Sequence, residues 1–118
     1  CNDCTDYVSQ CLHAGGIPTS STWQYPSGGS PTTAWCNVTG LKNYLVNNSY
    51  VTYNVTLVNC KCGDPFFFDV GGTLVHTVFM AYNDGTTFKY DAHTNDRKRL
   101  VWDGTLGGYT YHYAHVTY

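Results

Sequence analysis

The spacing of hydrophobic positions divides the chain into a helical first part and a β-rich second part. Residues 4–14 (CTDYVSQCLHA) repeat apolar and cysteine side chains every three or four positions before a Gly-Gly stop signal, which predicts a first helix. Residues 34–46 (AWCNVTGLKNYLV) have the same spacing and predict a second helix, weakened by Gly40. Residues 17–33 carry three prolines and a Gly-Gly pair, so we expect an irregular loop there.

From residue 50 onwards, apolar and polar side chains alternate, which favours strands. Turn-forming groups of glycine, asparagine, aspartate and proline separate the alternating segments. The predicted strands cover residues 50–58, 66–70, 74–82, 86–93, 99–102 and 109–118. Helices followed by a meander of strands predict an α+β fold, with the N-terminal helix packed on an antiparallel sheet of about five to six strands. At 118 residues, we expect one domain spanning 1–118.

The composition indicates an extracellular protein. Only 12% of the residues are charged while 16% are aromatic, so the surface must consist largely of Thr, Ser, Asn, Gly and Tyr. Six cysteines and N-x-S/T sequons at Asn37, Asn47 and Asn54 favour an oxidising compartment, although sequons also arise by chance in a chain this rich in Asn and Thr. We therefore predict a secreted, disulfide-bonded glycoprotein.

Several classes of function are excluded by charge and pattern. The formal net charge is −2, and the basic cluster at residues 97–99 is too short to follow a phosphate backbone, so nucleic acid is not a predicted partner. No apolar run approaches the roughly 20 residues that span a bilayer, and residues 1–15 lack the features of a signal peptide, which indicates a mature or excised product. The C-x-x-C pair at residues 1–4 has no second pair in register, so no metal is predicted.

A cysteine and a histidine are the candidate catalytic pair. Cys4 lies in the first turn of the first predicted helix, where unpaired backbone N–H groups and the helix dipole lower the pKa of a thiol. His76 lies within an apolar strand, on the face that alternation assigns to Leu74, Val78 and Met80. A titratable ring there indicates either a hydrogen-bonded core histidine or the base that a thiolate nucleophile requires.

The first helix carries a motif that identifies a family resemblance. Residues 3–16 (DCTDYVSQCLHAGG) resemble the DCTNFVSQ-x-L-x-AGG signature of the putative amidase domain family, a member of the papain-like superfamily with the NlpC-type and CHAP cell-wall hydrolases. Residues 35–45 resemble that family's SW-x-x-V-x-x-L-x-x-YL helix, residues 63–64 its GD turn, and residues 92–96 its HT-x-D segment. The resemblance runs from residue 3 to about residue 96.

This resemblance implies a fold, a reaction and a set of site residues. The fold would be papain-like, and the reaction would be hydrolysis of an amide bond in a peptide or a cell-wall glycopeptide, with no cofactor. Cys4 would be the nucleophile, His76 the general base and His93 the third residue, with Asn95 or Asp96 as alternatives for the orienting role. Asp6 replaces the family's asparagine, and a carboxylate two residues from the thiol is expected to raise the thiol pKa by like-charge repulsion.

The cysteines leave two alternatives open. If Cys4 is free, five cysteines remain and one of them lacks a partner; if all six pair, Cys4 is structural and bonded to a neighbour such as Cys1 or Cys36. Cys60 and Cys62 are too close in sequence for a relaxed bridge to each other. Cys1 could also act as an N-terminal nucleophile, but a disulfide is the favoured use.

A non-catalytic module is the rival class. Surplus cysteines, sequons, low charge and Tyr/Thr-rich strands also suit a disulfide-bonded, glycosylated extracellular module for adhesion, glycan binding or self-assembly into a filament or surface layer. The tyrosines of residues 109–118 could stack on carbohydrate, although packing within the sheet is favoured.

Overall fold

A computed structural model describes residues 1–92, 97–104 and 107–118, and gives the backbone alone for residues 97–100. The helices are α1 (Asp3–Ala14), α2 (Thr33–Cys36) and α3 (Val38–Asn47), and a 3-10 turn covers Leu57–Asn59. The strands are β1 (Val51–Val55), β2 (Pro65–Val70), β3 (Thr73–Asn83), β4 (Phe88–Ala92), β5 (Arg97–Val101) and β6 (Thr110–Val116). The predicted α+β class, with an N-terminal helix and an antiparallel sheet, is confirmed. No helix in the described ranges is long and apolar enough to cross a membrane.

The six strands form one antiparallel sheet in the order β1-β6-β2-β3-β4-β5. Strands β2 to β5 follow each other as a meander, whereas β6 returns to lie between β1 and β2. Helix α1 packs on β3, and α3 packs on β3 and β1, so all three helices cover one face of the sheet.

Two hydrophobic clusters lie on opposite faces of this sheet. The helix-side cluster joins the buried faces of the helices to inward residues of the strands, and its large members are Val8, Leu12, Ile17, Trp23, Trp35, Leu41, Leu45 and Phe67. The outer cluster fills the other face with Cys60, Phe66, Phe68, Val78, Met80, Tyr90, Ala92 and Trp102. Tyr111 and Tyr113 pack against the outer cluster, which confirms packing as a role of these tyrosines in β6.

The second predicted helix is two helices in the structure. Asn37 is extended (φ −111°, ψ 134°) and separates α2 from α3. Its side-chain oxygen accepts a hydrogen bond from the Gly40 N–H at 2.8 Å, which is the contact of an N-cap. A residue that caps a helix cannot also continue the preceding one, so the continuous helix predicted for residues 34–46 is wrong at this position.

A β-bulge at the start of β3 changes which side chains share a face. Phe68 of β2 pairs with His76, but the next residue, Asp69, pairs with Leu74, which leaves Val75 as the extra residue. Leu74 consequently packs with the helix-side cluster, whereas Val78 and Met80 belong to the outer cluster. The prediction that Leu74 shares a face with Val78 and Met80 is therefore wrong.

The loop between the first two helices is irregular, as predicted. It contains one isolated bridge, between Ser20 and Trp23. Trp23 is fully buried, stacks on Tyr44 at 5.5 Å between ring centroids, and donates its indole N–H to the Ser9 hydroxyl at 3.3 Å. The loop is thus anchored through Trp23, while Tyr25 remains half exposed.

Candidate functional site around Cys4

Cys4 occupies the first turn of α1, whose N-cap residue is Asn2. The first backbone N–H groups of a helix have no partners within it, and they make this end favourable for a negatively charged sulfur. The side chain is only 2% exposed. Its thiol donates a hydrogen bond to Asn2 Oδ1 at 3.1 Å and lies 3.8 Å from the Thr5 hydroxyl. The sequence therefore places a free thiol at the predicted position, but beneath Asn2.

The neighbouring cysteines are paired with each other. Cys1 and Cys36 form a disulfide that joins the start of the chain to the end of α2. The Asn2 N–H also donates to the Cys36 carbonyl at 3.2 Å, which fixes the residue before α1 against the same segment. Cys4 is a free thiol. The alternative in which Cys4 pairs with Cys1 or Cys36 is consequently wrong for this structure, and the expected bridge of Cys1 is confirmed.

The carboxylate of Asp6 is engaged by two donors. Its Oδ1 accepts from the Trp35 indole N–H at 2.8 Å and from the Gln10 side-chain amide at 3.0 Å. Both donors are uncharged and hydrogen-bond to the same carboxylate oxygen, and Trp35 holds it towards α2. Asp6 therefore has a structural function in joining α1 to α2.

His76 packs on the outer face of the sheet. Its ring contacts Phe68 edge-on, with ring centroids 5.1 Å apart and an interplanar angle of 71°. Burial lowers the pKa of His76 below its usual value of 6.5, because the charged imidazolium is poorly solvated there. Cys4 belongs to the helix-side cluster, so β3 separates the two side chains in this state. The structure does not bring the predicted nucleophile and base together.

The other predicted members of the site, His93, Asn95 and Asp96, lie outside the described residues. The last described residue before them is Ala92, and its neighbour Asp91 pairs with Phe79 of β3 and hydrogen-bonds to Tyr7 of α1. Burial, together with Cys11 and Asp91, raises the pKa of Tyr7 above its ordinary value. This contact brings the β4 end of the sheet against the helix that carries Cys4.

Three further thiols are free, and their surroundings differ. Cys60 is completely buried in the outer cluster, and burial raises its pKa well above the ordinary value. Cys11 is partly buried, and desolvation likewise raises its pKa. Cys62 is exposed and donates to the Ala81 carbonyl at 3.1 Å. Cys4 differs from all three in lying at the start of a helix.

The remaining described histidines have structural partners. His13 Nδ1 lies 2.7 Å from the Ile17 carbonyl oxygen, near the end of α1. His112 lies between Asn54 Oδ1 at 2.6 Å and Asp69 Oδ2 at 3.0 Å. Both rings therefore have hydrogen-bonding partners within the fold.

Two partners in and near the site were missed from the sequence. Asn2 contacts the thiol, and the only signal for it was the preference of asparagine for the position before a helix. His115 Nδ1 lies 2.6 Å from Asp64 Oδ2 in the GD turn, and this pairing depends on bringing distant strands together. Within residues 1–92, 97–104 and 107–118, no group of three or more His, Cys, Asp or Glu side chains could hold a metal ion.

Comparisons with known proteins agree with the helix motif. The sequence model of the putative amidase domain matches residues 1–117. The uncharacterized protein YjcM of Bacillus subtilis is 33% identical over 86 residues, which cover 70% of this chain and 19% of that protein. The chain thus spans about a fifth of the length of this relative. No solved structure matches the chain. With a family match over nearly its whole length and Cys4 at the start of the motif-bearing helix, the chain belongs to the putative amidase domain family.

Proposed function

We propose that this chain is a secreted cysteine hydrolase with a papain-like arrangement, in which Cys4 attacks the amide bond of a peptide or a peptidoglycan-like stem peptide. The observation that carries the proposal is the free thiol of Cys4 in the first turn of α1, beside two cysteines that are bonded to each other. The positive end of a helix dipole favours a thiolate, and a cysteine must be free of disulfides to act as a nucleophile; Cys4 meets both conditions. Family membership supports amide hydrolysis.

The chemistry follows the general course of thiol-dependent acyl transfer. The Cys4 thiolate adds to the carbonyl carbon, and unpaired N–H groups at the start of α1 are the candidate donors to the resulting oxyanion. An imidazolium protonates the departing amine, the acyl group remains on sulfur, and water then hydrolyses the thioester. No cofactor takes part in these steps.

The proposed base is His76, with His93 as the third residue and Asn95 or Asp96 as alternatives for orientation. His76 adjoins the bulge at Val75, and moving a bulge by one residue exchanges the faces of the residues it passes. Such a displacement would turn the imidazole towards α1. His93 follows Asp91 by two positions, the spacing of residues that share a strand face, and Asp91 contacts α1.

Hydrolysis of peptidoglycan-derived stem peptides and short synthetic peptides, followed by release of free amine, tests the proposal. Cys4→Ser is expected to lower kcat/KM by at least about 10³-fold, since a serine hydroxyl ionises far less readily than a thiol and is the weaker nucleophile. His76→Ala and His93→Ala are each expected to cost about 10²–10⁴-fold. Cys62→Ser is the matched control, because it removes an exposed thiol and should leave the rate unchanged. Equal rates for Cys4→Ser and Cys62→Ser would contradict the proposal.

The second candidate is a non-catalytic extracellular module that retains the amidase scaffold for adhesion, glycan binding or self-assembly. Two observations favour it: Cys4 is only 2% exposed, and His76 packs on the other face of the sheet. Asn37, Asn47 and Asn54 are all exposed, as carriers of glycans must be. Native mass spectrometry after alkylation at neutral pH separates the candidates, since a hydrolase should be labelled at Cys4 and a scaffold should not. The same spectra would reveal glycans on the three asparagines.

A further inference from the structure

Asn2 occupies the N-cap position of α1 without capping the helix. Asparagine is among the best N-caps because its side-chain oxygen accepts from a backbone N–H of the first turn. Here the side chain makes no such bond. Its Oδ1 instead accepts from the Cys4 thiol at 3.1 Å. The residue gives up the usual stabilisation of a cap for a contact with the proposed nucleophile.

The backbone of Asn2 is held in place from three directions. Cys1, the residue before it, is bonded to Cys36, and the Asn2 N–H donates to the Cys36 carbonyl at 3.2 Å. The Asn2 carbonyl accepts from the Asp6 N–H at 3.0 Å, the first hydrogen bond of α1. Asn2 is exposed whereas Cys4 beneath it is 2% exposed. The backbone of Asn2 is thus fixed beside a buried thiol, and Asn2 is the exposed partner in the contact.

We propose that Asn2, anchored by the Cys1–Cys36 disulfide, is a further residue of the catalytic site, which covers the Cys4 thiol at rest and donates a hydrogen bond to the thiolate. As a catalytic role this rests on the proposed hydrolase function. A carboxamide has an acceptor oxygen and a donor NH₂ group, so half a turn about its last bond exchanges them. The oxygen suits the S–H form and the NH₂ group suits the charged sulfur, where the bond is stronger.

The pH dependence of Cys4 alkylation in two variants tests this role. Asn2→Ala removes the side chain that covers the thiol, and with it the NH₂ donor. Asn2→Asp keeps the shape of the side chain but replaces the donor with a negatively charged acceptor. At pH 7, N2D is expected to be alkylated about tenfold more slowly than N2A, because a carboxylate beside the sulfur disfavours the thiolate. At high pH, where charge no longer limits the reaction, N2A should be alkylated faster than the wild type. Asn43→Ala, in the exposed part of α3, is the control.

A double variant tests the anchor separately. Cys1→Ser with Cys36→Ser removes the disulfide and should raise the alkylation rate of Cys4 at high pH towards that of N2A, with circular dichroism confirming the fold. If Cys4 in this variant is alkylated at the wild-type rate, the anchoring by the disulfide is overturned. If the pH profiles of Cys4 alkylation superimpose for the wild type, N2A and N2D, the role of Asn2 is overturned altogether.

Hydrolysis measured in parallel distinguishes this inference from the proposed function. If the wild type cleaves its peptide and the Asn2 variants match it in kcat, KM and alkylation, the role of Asn2 is overturned and the hydrolase stands. If no substrate is cleaved but alkylation depends on Asn2 as described, the catalytic role falls with the hydrolase, and the contact with the thiol is upheld.

Discussion

The carboxylate of Asp64 joins two segments of the sheet that are distant in the sequence. Asp64, in the turn before β2, is only 3% exposed and accepts from the backbone N–H groups of Lys61 at 2.7 Å and Val116 at 2.9 Å. Its Oδ2 also lies 2.6 Å from His115 Nδ1. Buried polar side chains are tolerated where hydrogen-bond partners satisfy them. Asp64 therefore fixes the end of β6 against the turn that precedes β2.

The histidine on β3 makes stability depend on pH. Burial holds the pKa of His76 below 6.5, so the unfolded chain binds a proton at a pH where the folded chain does not. The contribution of neutral His76 to the free energy of unfolding is fully present above pH 6.5. It is lost as the pH falls through the pKa of His76 in the folded protein. Acidification below pH 6.5 is therefore expected to reduce the free energy of unfolding.

His76→Phe should flatten this dependence, because phenylalanine packs on Phe68 without titrating. The measurement is urea unfolding of both proteins at half-unit steps between pH 7.5 and pH 5. The difference in unfolding free energy between the variant and the wild type should grow as the pH falls. A constant difference across the series would show that His76 is as well solvated in the folded state as in the unfolded chain.

At the scale of elements, Gly40 marks where α2 and α3 approach each other. A Cβ at this position would lie 3.0 Å from the Thr33 carbonyl oxygen and 3.2 Å from the Ala34 Cα. Both are backbone atoms, which cannot move without shifting α2. Glycine weakens α3 as the sequence predicts, and the close contact between the helices requires it.

Gly40→Ala is therefore expected to destabilise the fold. Alanine gains about 1 kcal/mol in helix propensity, but overpacking against backbone costs about 1–3 kcal/mol. Chemical unfolding should show a net loss of up to about 2 kcal/mol. Asn43→Ala, exposed on the same helix, is the matched control and should raise stability by a few tenths of a kcal/mol. If both variants were more stable than the wild type, α2 would have to move away from the added methyl group at little cost in free energy.

Local pattern was enough to predict most elements and the position of Cys4 on the first helix. Helix α1 follows from the spacing of its apolar side chains and its glycine stop, and Cys4 lies in its first turn as expected. The strands likewise follow from short segments bounded by turn residues, with alternation in most of them and a continuous apolar run in β2, which is covered on both faces. These features depend on neighbours within a few residues.

The features that the sequence pattern did not predict depend on contacts with other parts of the structure. The bulge at Val75 is defined by the register of β2, and it decides that His76 faces Phe68. The break at Asn37 depends on whether its side chain caps the helix that follows, which competes with continuing the helix before it. The contact of Asn2 with the thiol lies beside the bridge between Cys1 and Cys36, which are 35 residues apart in the sequence. The site was therefore predicted as a set of residues and not as a geometry.

At the scale of the whole molecule, the two hydrophobic clusters are built on opposite faces of the same sheet. Phe66 and Phe68 face the outer cluster while Phe67, between them, faces the helices. Trp102 closes the outer cluster and donates its indole N–H to the Tyr113 hydroxyl at 3.1 Å. Since both clusters share the same strands, neither can come apart without disturbing the sheet, and we expect them to unfold together.

The thiol of Cys60 can report this cooperativity. It is completely buried in the outer cluster, and the burial that raises its pKa also shields it from reagents. Its alkylation in increasing urea should follow the same free energy of unfolding as circular dichroism, whereas exposed Cys62 should react at once. Labelling of Cys60 well below the unfolding midpoint would show that the outer cluster opens on its own.

The place of β6 between β1 and β2 has a consequence for synthesis on the ribosome. Strand β1 is translated early, but its strand partner among the described residues is β6, which is among the last segments of this sequence to be made. Until Thr110–Val116 emerges, β1 has no ladder to join and one side of β2 is open. Unpaired strand edges are the surfaces through which nascent chains aggregate. We therefore expect this domain to complete its sheet only after Thr110–Val116 has been made, and chains that stop short of it to be more prone to aggregation.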